Sequence, residues 1–165
     1  MLTDYVVIDL EMTGLNAKTD RILEAGAARV RGNVVTATFS EIINPKRELS
    51  EKVISLTGIT NEMAVQGKEM DAMLMAFLDF IGEDILVGQN VIFDYSFLKQ
   101  WAVNHKRTFE RNAVDTLKLA RKFLPQEQKK DLASLCSYFG IERVHAHRAL
   151  DDVMETQQIF EQLQK

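Results

Sequence analysis

Cysteine is nearly absent from the sequence: Cys136 stands alone, so no internal disulfide can form. A chain without disulfides is typical of a reducing compartment, and we therefore expect a cytoplasmic protein. Long apolar runs are also missing, because Asp79 interrupts "AMLMAFLDFIG", and the amino terminus has no basic segment leading into an apolar one. These absences favour a soluble protein that has no membrane partner.

An excess of basic residues is missing as well. Lys and Arg together number 20 against 24 Asp and Glu, for a net charge of -4. Proteins that coat nucleic acid by electrostatics alone have the opposite balance, whereas an enzyme that grips one chain end is compatible with it. With 165 residues, 46% of them hydrophobic, and no repeat or linker, the sequence predicts one globular domain over residues 1–165.

Strand patterns come first along the chain and helical patterns follow. "DYVVIDLEM", "RILEAGAARVRG" and "NVVTATFSEII" predict three antiparallel strands, the last two joined by a tight turn at Gly32-Asn33. Helical periodicity is then found at Ser50 to Leu56, Lys68 to Ile81, Phe93 to Asn104, Thr116 to Phe123, Asp131 to Phe139 and in a closing helix. Two short strand candidates, "DILVGQN" and "NAVDT", lie between these helices. The order predicts an α/β protein with a mixed sheet and helices on its faces.

The first strand carries two carboxylates, Asp9 and Glu11, where its apolar run ends. Side chains at i and i+2 leave a strand on the same face, so both point into one small volume. Two like charges this close repel each other, and a hard divalent cation such as Mg²⁺ or Mn²⁺ would turn the repulsion into binding. Solvent exposure of both side chains at a strand end is the alternative.

The closing helix contains two adjacent aspartates that helical geometry separates. With about 100° per residue, Asp152 falls inside an apolar stripe, whereas Asp151 falls with three polar residues. The stripe consists of Ala149, Val153, Thr156, Ile159, Phe160 and Leu163, and the polar residues are Glu155, Gln158 and Gln162. We therefore expect Asp152 to point inward and Asp151, with its polar strip, to face solvent. A buried carboxylate needs a cation or a strong hydrogen-bond partner.

A third helical position repeats this pattern. Asp94 lies on or beside the apolar stripe of Phe97, Leu98 and Trp101, which predicts a second inward carboxylate on a helix. A helix cap or a buried hydrogen bond could explain either aspartate taken singly. Together with the strand pair they make four inward carboxylates, and the sequence offers no matching inward lysine or arginine. We interpret the set as a site for two divalent metal ions.

His147 lies five residues before Asp152 and is expected in the loop or first turn that precedes the closing helix. It could then approach the carboxylates from outside. Imidazole titrates near neutral pH, so His147 could take a proton from the attacking water. His145 and His105 are interpreted as surface residues.

These residues are similar to the motifs of the DEDDh group of 3′-to-5′ exonucleases, in particular to the proofreading subunits or domains of bacterial DNA polymerase III. The matching positions are Asp9, Glu11, Thr13 and Gly14 for the first motif, Asn90, Phe93 and Asp94 for the second, and His147 and Asp152 for the third. "LTGIT" and "DTLKLARKFLP" also resemble stretches of the polymerase-associated members. The likeness covers nearly the whole chain.

The resemblance implies a ribonuclease-H-like fold with a five-stranded mixed sheet, and a site at the carboxyl end of its central strand. It implies two ions, Mg²⁺ or Mn²⁺, both contacted by Asp9. Glu11 and Asp152 would hold the ion on the attacking side, and Asp94 the other. It further implies that His147 is the general base and that nucleoside 5′-monophosphates are released from DNA 3′ ends.

The same resemblance places the terminal nucleotide against Thr13, Gly14, Leu15 and Asn90, with Phe93 beside a base. Gln89 replaces a histidine found in many relatives, which affects contacts to the nucleotide but not to the metal ions. "IDLEMTGL" is closer to the enzymes that degrade short RNA, so RNA stays an alternative substrate.

Other readings also stay open. Four basic residues are expected near the mouth of the site, either on phosphates or on a solvated surface: Lys129, Lys130, Arg143 and Arg148. A polymerase subunit is a candidate partner. A non-catalytic module that binds a polymerase or nucleic acid would share the fold but would not need all five chemical residues. A metal-dependent phosphatase would not need the "TGL" loop.

Overall fold

The computed structural model describes residues 1–144 and 148–165. In this part of the chain the elements are β1 (Tyr5–Met12), β2 (Ile22–Arg31), β3 (Val34–Ile42), α1 (Glu51–Thr57), α2 (Asn61–Val65), α3 (Met70–Ile81), β4 (Leu86–Gly88), α4 (Ile92–Asn104), β5 (Ala113–Asp115), α5 (Thr116–Phe123), α6 (Leu132–Phe139) and α7 (Ala149–Leu163). No helix among these residues is long and apolar enough to cross a bilayer.

The five strands form one sheet in the order β3-β2-β1-β4-β5. β1 pairs antiparallel with β2, and β2 with β3, whereas β4 is parallel to both β1 and β5. Gly32 and Asn33 connect β2 to β3 with φ angles of 58° and 64°, the left-handed conformation that suits a tight hairpin turn. The prediction of a mixed sheet with three antiparallel strands at one side is confirmed.

Alternate residues of β1 face two different cores. Val6, Ile8 and Leu10 are buried in the larger core, which includes Phe77 of α3 and Trp101 of α4. The period of two follows from the pleat of the strand, which sends successive side chains to opposite faces. The central strand is therefore apolar on both sides over most of its length.

The other face of β1 packs against α7. Tyr5 and Val7 lie in a smaller core with Val153 and Phe160 of that helix. Asp9 and Glu11 continue the same face toward the carboxyl end of the strand. The contact surface between β1 and α7 thus changes from apolar to acidic along its length, and the acidic end lies near the start of α7.

The starts of α1 and α6 agree with the sequence patterns, and each has a capping residue. Ser50 caps α1 and Asp131 caps α6, each accepting a hydrogen bond from a backbone N–H of the first turn. α3 begins at Met70 rather than Lys68, because Glu69 is the cap and Lys68 forms a bridge with Ile43. The short helix α2 was not predicted, because its five residues span too little sequence to show periodicity.

Candidate active site

Three of the predicted carboxylates come together at the carboxyl end of β1. Asp9, Glu11 and Asp152 each offer an oxygen atom, and these atoms all lie within 4.8 Å of one another. The first two belong to β1, and Asp152 belongs to the first turn of α7. Asp152 is 5% exposed, which confirms its inward orientation.

Asp94 lies next to this group, at the start of α4. It is 4% exposed, and its Oδ1 accepts a hydrogen bond from the Leu10 backbone N–H at 3.2 Å. Since Leu10 lies between Asp9 and Glu11, the hydrogen bond fixes Asp94 against the same strand end. Asp94 also points inward, as predicted. It is not one of the three carboxylates whose oxygens lie within 4.8 Å of one another.

The carboxylates raise one another's pKa. Burial, followed by the charges of Asp94, Glu11 and Asp152, raises the pKa of Asp9 well above its ordinary range. Burial and then the Asp152 charge raise the pKa of Glu11 to about 8. Burial raises the pKa of Asp94 as well. Negative charge in this volume is therefore unfavourable without a cation.

A divalent cation fits the group. Within the described residues, the buried Oδ2 of Asp9 has no hydrogen-bond partner, and a buried polar atom of this kind is costly unless a ligand satisfies it. Carboxylate oxygens are the donors that Mg²⁺ and Mn²⁺ prefer. Asp9, Glu11 and Asp152 have the chemistry and spacing to bind such an ion.

The expectation that no arginine matches the inward carboxylates is wrong. Arg143 donates from Nη2 to Asp152 Oδ1 at 3.2 Å and from Nε to Glu155 Oε2 at 3.0 Å. The residue lies outside the regular helices, where sequence periodicity gives no orientation. Asp152 is therefore the neighbour of a positive charge as well as of two carboxylates.

Glu155 corrects a second expectation, because it is buried rather than on a solvent-facing strip. Asp151 is half-buried, and Gln158 and Gln162 are exposed, so the polar strip is only partly at the surface. Glu155 turns inward because Arg143 neutralises it, a contact that a helical projection of α7 alone does not include.

Arg148 is likewise not free to meet a phosphate at a solvated mouth. Its guanidinium donates to both carboxylate oxygens of Glu24 on β2, at 2.8 to 3.2 Å. Glu24 is 1% exposed and was not singled out from the sequence. The β1–β2 register places Glu24 opposite Glu11, and the sequence alone does not give that register.

The segment after β1 is held in shape by an aspartate that sequence reasoning missed. Thr13 Oγ1 donates to Asp20 Oδ1 at 3.2 Å and accepts from the Arg21 N–H at 2.9 Å. A Cβ atom on Gly14 would lie 2.3 Å from Asp20 Oδ2, so a side chain there would have to displace the carboxylate that holds the loop. Thr13 and Gly14 thus shape the loop, and Leu15 follows with its side chain 64% exposed.

The second predicted substrate segment precedes α4. Asn90 adopts a φ of 54°, and its backbone N–H donates to Asp115 Oδ1 at 2.9 Å. Gln89 donates to the Lys130 carbonyl at 2.8 Å and accepts from Thr116 Oγ1 at 2.5 Å. Asn90 is thus held by the last residue of β5, and Gln89 by the first residue of α5 and by Lys130.

Two predicted residues complete the comparison with the sequence. Phe93, in the first turn of α4, is half-buried. His147 lies outside the described residues, as does His145. The structure therefore tests neither the predicted general base nor its distance from the carboxylates.

These features define a class of protein. A cluster of three carboxylates, suited to a divalent ion, lies at the carboxyl end of the central strand of a five-stranded mixed sheet. The loop that follows this strand is held in place by hydrogen bonds to Thr13. This is the arrangement of a metal-dependent nuclease with a ribonuclease-H-like fold.

Comparison with known proteins gives the family. Residues 6–160 match the Exonuclease family, RNase_T. DNA polymerase III subunit epsilon of Aquifex aeolicus is 37% identical over 157 residues, which cover 94% of this chain and 78% of that protein. The chain belongs to the Exonuclease family and is a metal-dependent 3′-to-5′ exonuclease of the epsilon type.

In longer relatives, the matching sequence is a small part of the protein. The PolC-type DNA polymerase III of Bacillus subtilis is 38% identical over 157 residues, and the match covers 92% of this chain but only 11% of that protein. The chain thus spans about a tenth of the PolC-type relatives that it matches.

Solved structures confirm the fold. Escherichia coli exonuclease I in complex with a dT13 oligonucleotide superposes with a TM-score of 0.85 at 19% identity, covering 99% of this chain and 41% of that one. The nuclease domain of 3′hExo, a DEDDh family member bound to rAMP, gives a TM-score of 0.80 at 19% identity and covers 98% and 92% of the two chains.

Proposed function

We propose that this protein removes nucleoside 5′-monophosphates from the 3′ ends of single-stranded or frayed DNA. The observation that carries the proposal is the convergence of Asp9, Glu11 and Asp152 within 4.8 Å, with Asp94 held against the same strand end. Burying several carboxylates together is energetically unfavourable, and a non-catalytic binding module would have no use for such a cluster.

The four carboxylates are proposed to hold two divalent ions, Mg²⁺ or Mn²⁺. Asp9 would contact both, with Glu11 and Asp152 on one ion and Asp94 on the other. When bound, such ions supply positive charge that stabilises the attacking and leaving oxygens of phosphodiester cleavage. The buried Oδ2 of Asp9, which has no hydrogen-bond partner among the described residues, supports a cation at Asp9.

His147 is proposed as the general base. Its support comes from sequence, where it stands five residues before Asp152 at the spacing of the third DEDDh motif. A neutral imidazole would accept the proton of the attacking water, and its ordinary pKa near neutrality suits that role.

The loop of Thr13, Gly14 and Leu15 is proposed to receive the last nucleotide, together with Asn90 and Phe93. Leu15 is largely exposed and lies shortly after Glu11 in the sequence. Phe93 is half-buried and directly precedes Asp94. Apolar and aromatic side chains bind the face of an unpaired base regardless of its identity. A terminal base must then leave its duplex partner before cleavage.

A short RNA substrate is the second candidate. The stretch "IDLEMTGL", Ile8 to Leu15, favours it because of its likeness to enzymes that degrade short RNA. The polymerase-like stretches elsewhere favour DNA. We further propose that residues 1–165 act as one exonuclease domain in the cytoplasm and associate with a DNA polymerase, as the names of the relatives suggest.

The test is a comparison of labelled substrates with Mg²⁺ or Mn²⁺ and with excess chelator. We expect mononucleotides from the 3′ end of single-stranded DNA, slower release from a fully paired end, and no release in chelator. Faster attack on a short RNA would select the second candidate. Activity that persists in chelator, or release of phosphate alone, would refute the proposal, and Asp152→Asn serves as the inactive control.

A further inference from the structure

Among the described residues, the segment that leads into α7 provides no capping side chain. Arg148 occupies the position before the helix and makes no side-chain cap hydrogen bond. The first N–H groups of a helix need acceptors, and an arginine cannot provide one. Instead, Glu24 Oε1 on β2 accepts from the Ala149 N–H at 2.7 Å. A distant strand therefore caps this helix.

The same carboxylate also holds the residue before the helix. Arg148 donates from Nε and Nη2 to the two oxygens of Glu24, which is almost fully buried. A planar guanidinium paired with both oxygens of a carboxylate fixes orientation as well as distance. A negative charge at a helix amino terminus is favourable in addition. Glu24 thus binds both the residue before α7, Arg148, and the first backbone N–H of the helix, that of Ala149.

Gly26, two residues further along β2, fixes how closely α7 approaches the sheet. A Cβ atom at Gly26 would lie 2.8 Å from the Ala149 carbonyl carbon and 2.9 Å from the Leu150 nitrogen. Both are backbone atoms, so a side chain there could be accommodated only by moving the helix. Gly26 and Glu24 lie on the same face of β2, because they are two residues apart.

The register of the sheet connects this contact with the carboxylates. Gly26 is the direct partner of Asp9 in the β1–β2 pairing, and Glu24 is the partner of Glu11. The side chains of paired residues share a face of the sheet. The two β2 residues that set the position of α7 therefore lie beside the two β1 carboxylates that Asp152 must meet.

We infer that Glu24 and Gly26 are positioning residues that place Asp152 in the metal site by fixing the start of α7 on β2. Asp152 lies one turn into the helix, and its N–H donates to the Arg148 carbonyl at 3.0 Å, so its place follows that of Arg148. The inference rests on the proposed function, in which Asp152 is a metal ligand.

Gly26→Ala is the decisive variant, because it adds a methyl group without changing charge. We expect the Mn²⁺ affinity measured by calorimetry to fall roughly 10- to 100-fold, the range typical of lost support for a metal ligand. In the Asp152→Asn background, Gly26→Ala should have no further effect on Mn²⁺ affinity. Val30→Ala, also buried on this face of β2, is the control that should lower thermal stability without changing the affinity.

Glu24→Gln provides a second test if Gly26→Ala does not fold. The amide oxygen can still cap Ala149, but the ion pair with Arg148 is lost. We expect faster amide hydrogen exchange in the first turn of α7 in the metal-free protein, with unchanged exchange in α3, and weaker Mn²⁺ binding. Wild-type-like Mn²⁺ affinity in both variants would overturn the inference alone, whereas a wild-type protein that binds no Mn²⁺ would overturn the proposed function with it.

Discussion

Arg143 donates a hydrogen bond from Nη2 to Oδ1 of Asp152 at 3.2 Å. The same guanidinium binds buried Glu155 through Nε. One arginine thus neutralises part of the acidic cluster in the metal-free protein. The metal-free protein can in this way keep Asp152 and Glu155 inside the fold, since a buried charge is tolerated when it is paired.

Replacing Arg143 by glutamine should destabilise the metal-free protein. Glu155 and Asp152 would lose the Arg143 charge. Breaking a buried ion pair costs about 3 kcal/mol at the lower end of the usual range, and the lower end applies here because the Arg143 side chain is 20% exposed. The double variant Arg143→Gln/Glu155→Gln should recover the part of this loss that comes from Glu155, since the charge of that carboxylate is gone. Urea unfolding in chelator measures both.

The control for this pair is Arg31→Gln, which breaks the more exposed ion pair between Asp84 and the last residue of β2. We expect a loss of no more than about 1 kcal/mol there. A double variant as unstable as Arg143→Gln would mean that Arg143 stabilises the fold through something other than the charge of Glu155.

Asp152→Asn and Asp151→Asn separate neighbouring residues with opposite expected roles. Asp152 belongs to the carboxylate group, so its amide should nearly abolish activity and weaken Mn²⁺ binding. Asp151 is half-buried in the first turn and outside that group, so its amide should keep most of both. Loss of a helix-start charge should shift its stability by no more than about 0.5 to 1 kcal/mol. Hydrolysis rate and Mn²⁺ affinity, measured side by side, decide; a dead Asp151→Asn would refute the assignment.

The inward orientation of Asp94 and Asp152 could be predicted because helix periodicity depends only on neighbours in sequence. The succession of strands and helices along the chain and the turn at Gly32 and Asn33 followed in the same way from local patterns. Asp9 and Glu11 needed only the period of a strand. In each case the information lies within about ten residues of the position concerned.

Contacts between distant segments were not predictable from one sequence. Glu24 and Arg148 are 124 residues apart, and nothing local marks either as the other's partner. Glu155 was predicted at the surface because a helical wheel includes only the residues of the helix, whereas its partner Arg143 lies in the preceding loop. Asp20 is closer in sequence to Thr13 but lies in an irregular segment, where no period assigns a direction. The supporting residues of the site, rather than its carboxylates, were therefore missed.

His147→Ala tests the proposed general base, which sequence alone supports. We expect the hydrolysis rate to fall on the order of 10² to 10⁴, the range typical of lost general-base catalysis. Mn²⁺ affinity should be unchanged, because the proposed ligands are all carboxylates. His105→Ala is the matched control, since that histidine is stacked on Trp101 and paired with Asp71, outside the carboxylate group. Loss of Mn²⁺ binding in His147→Ala would instead make His147 a metal ligand.

The stability of the metal-free protein should fall as pH rises, because burial and the Asp152 charge raise the pKa of Glu11 from 4.5 to about 8. The folded protein then binds a proton that the unfolded chain releases, so this contribution is complete below pH 4.5 and lost as pH rises through 8. Glu11→Gln cannot ionise. In chelator at about pH 5, this variant should melt at nearly the wild-type temperature. At about pH 8.5 it should melt at a higher temperature than the wild type, by roughly 2 to 4 °C for each kcal/mol that its free energy of unfolding exceeds that of the wild type.

Adding Mn²⁺ should reverse that order, since the Glu11 carboxylate then becomes a ligand and bound metal stabilises the folded state. Wild type should gain more in melting temperature at pH 8.5 than Glu11→Gln does. Glu127→Gln, at an exposed position of the turn after α5, should follow the wild type at every pH with and without Mn²⁺. Thermal melts across the pH range measure all three proteins. An offset between Glu11→Gln and wild type that stays constant with pH would show that Glu11 is not the group whose ionisation the fold opposes.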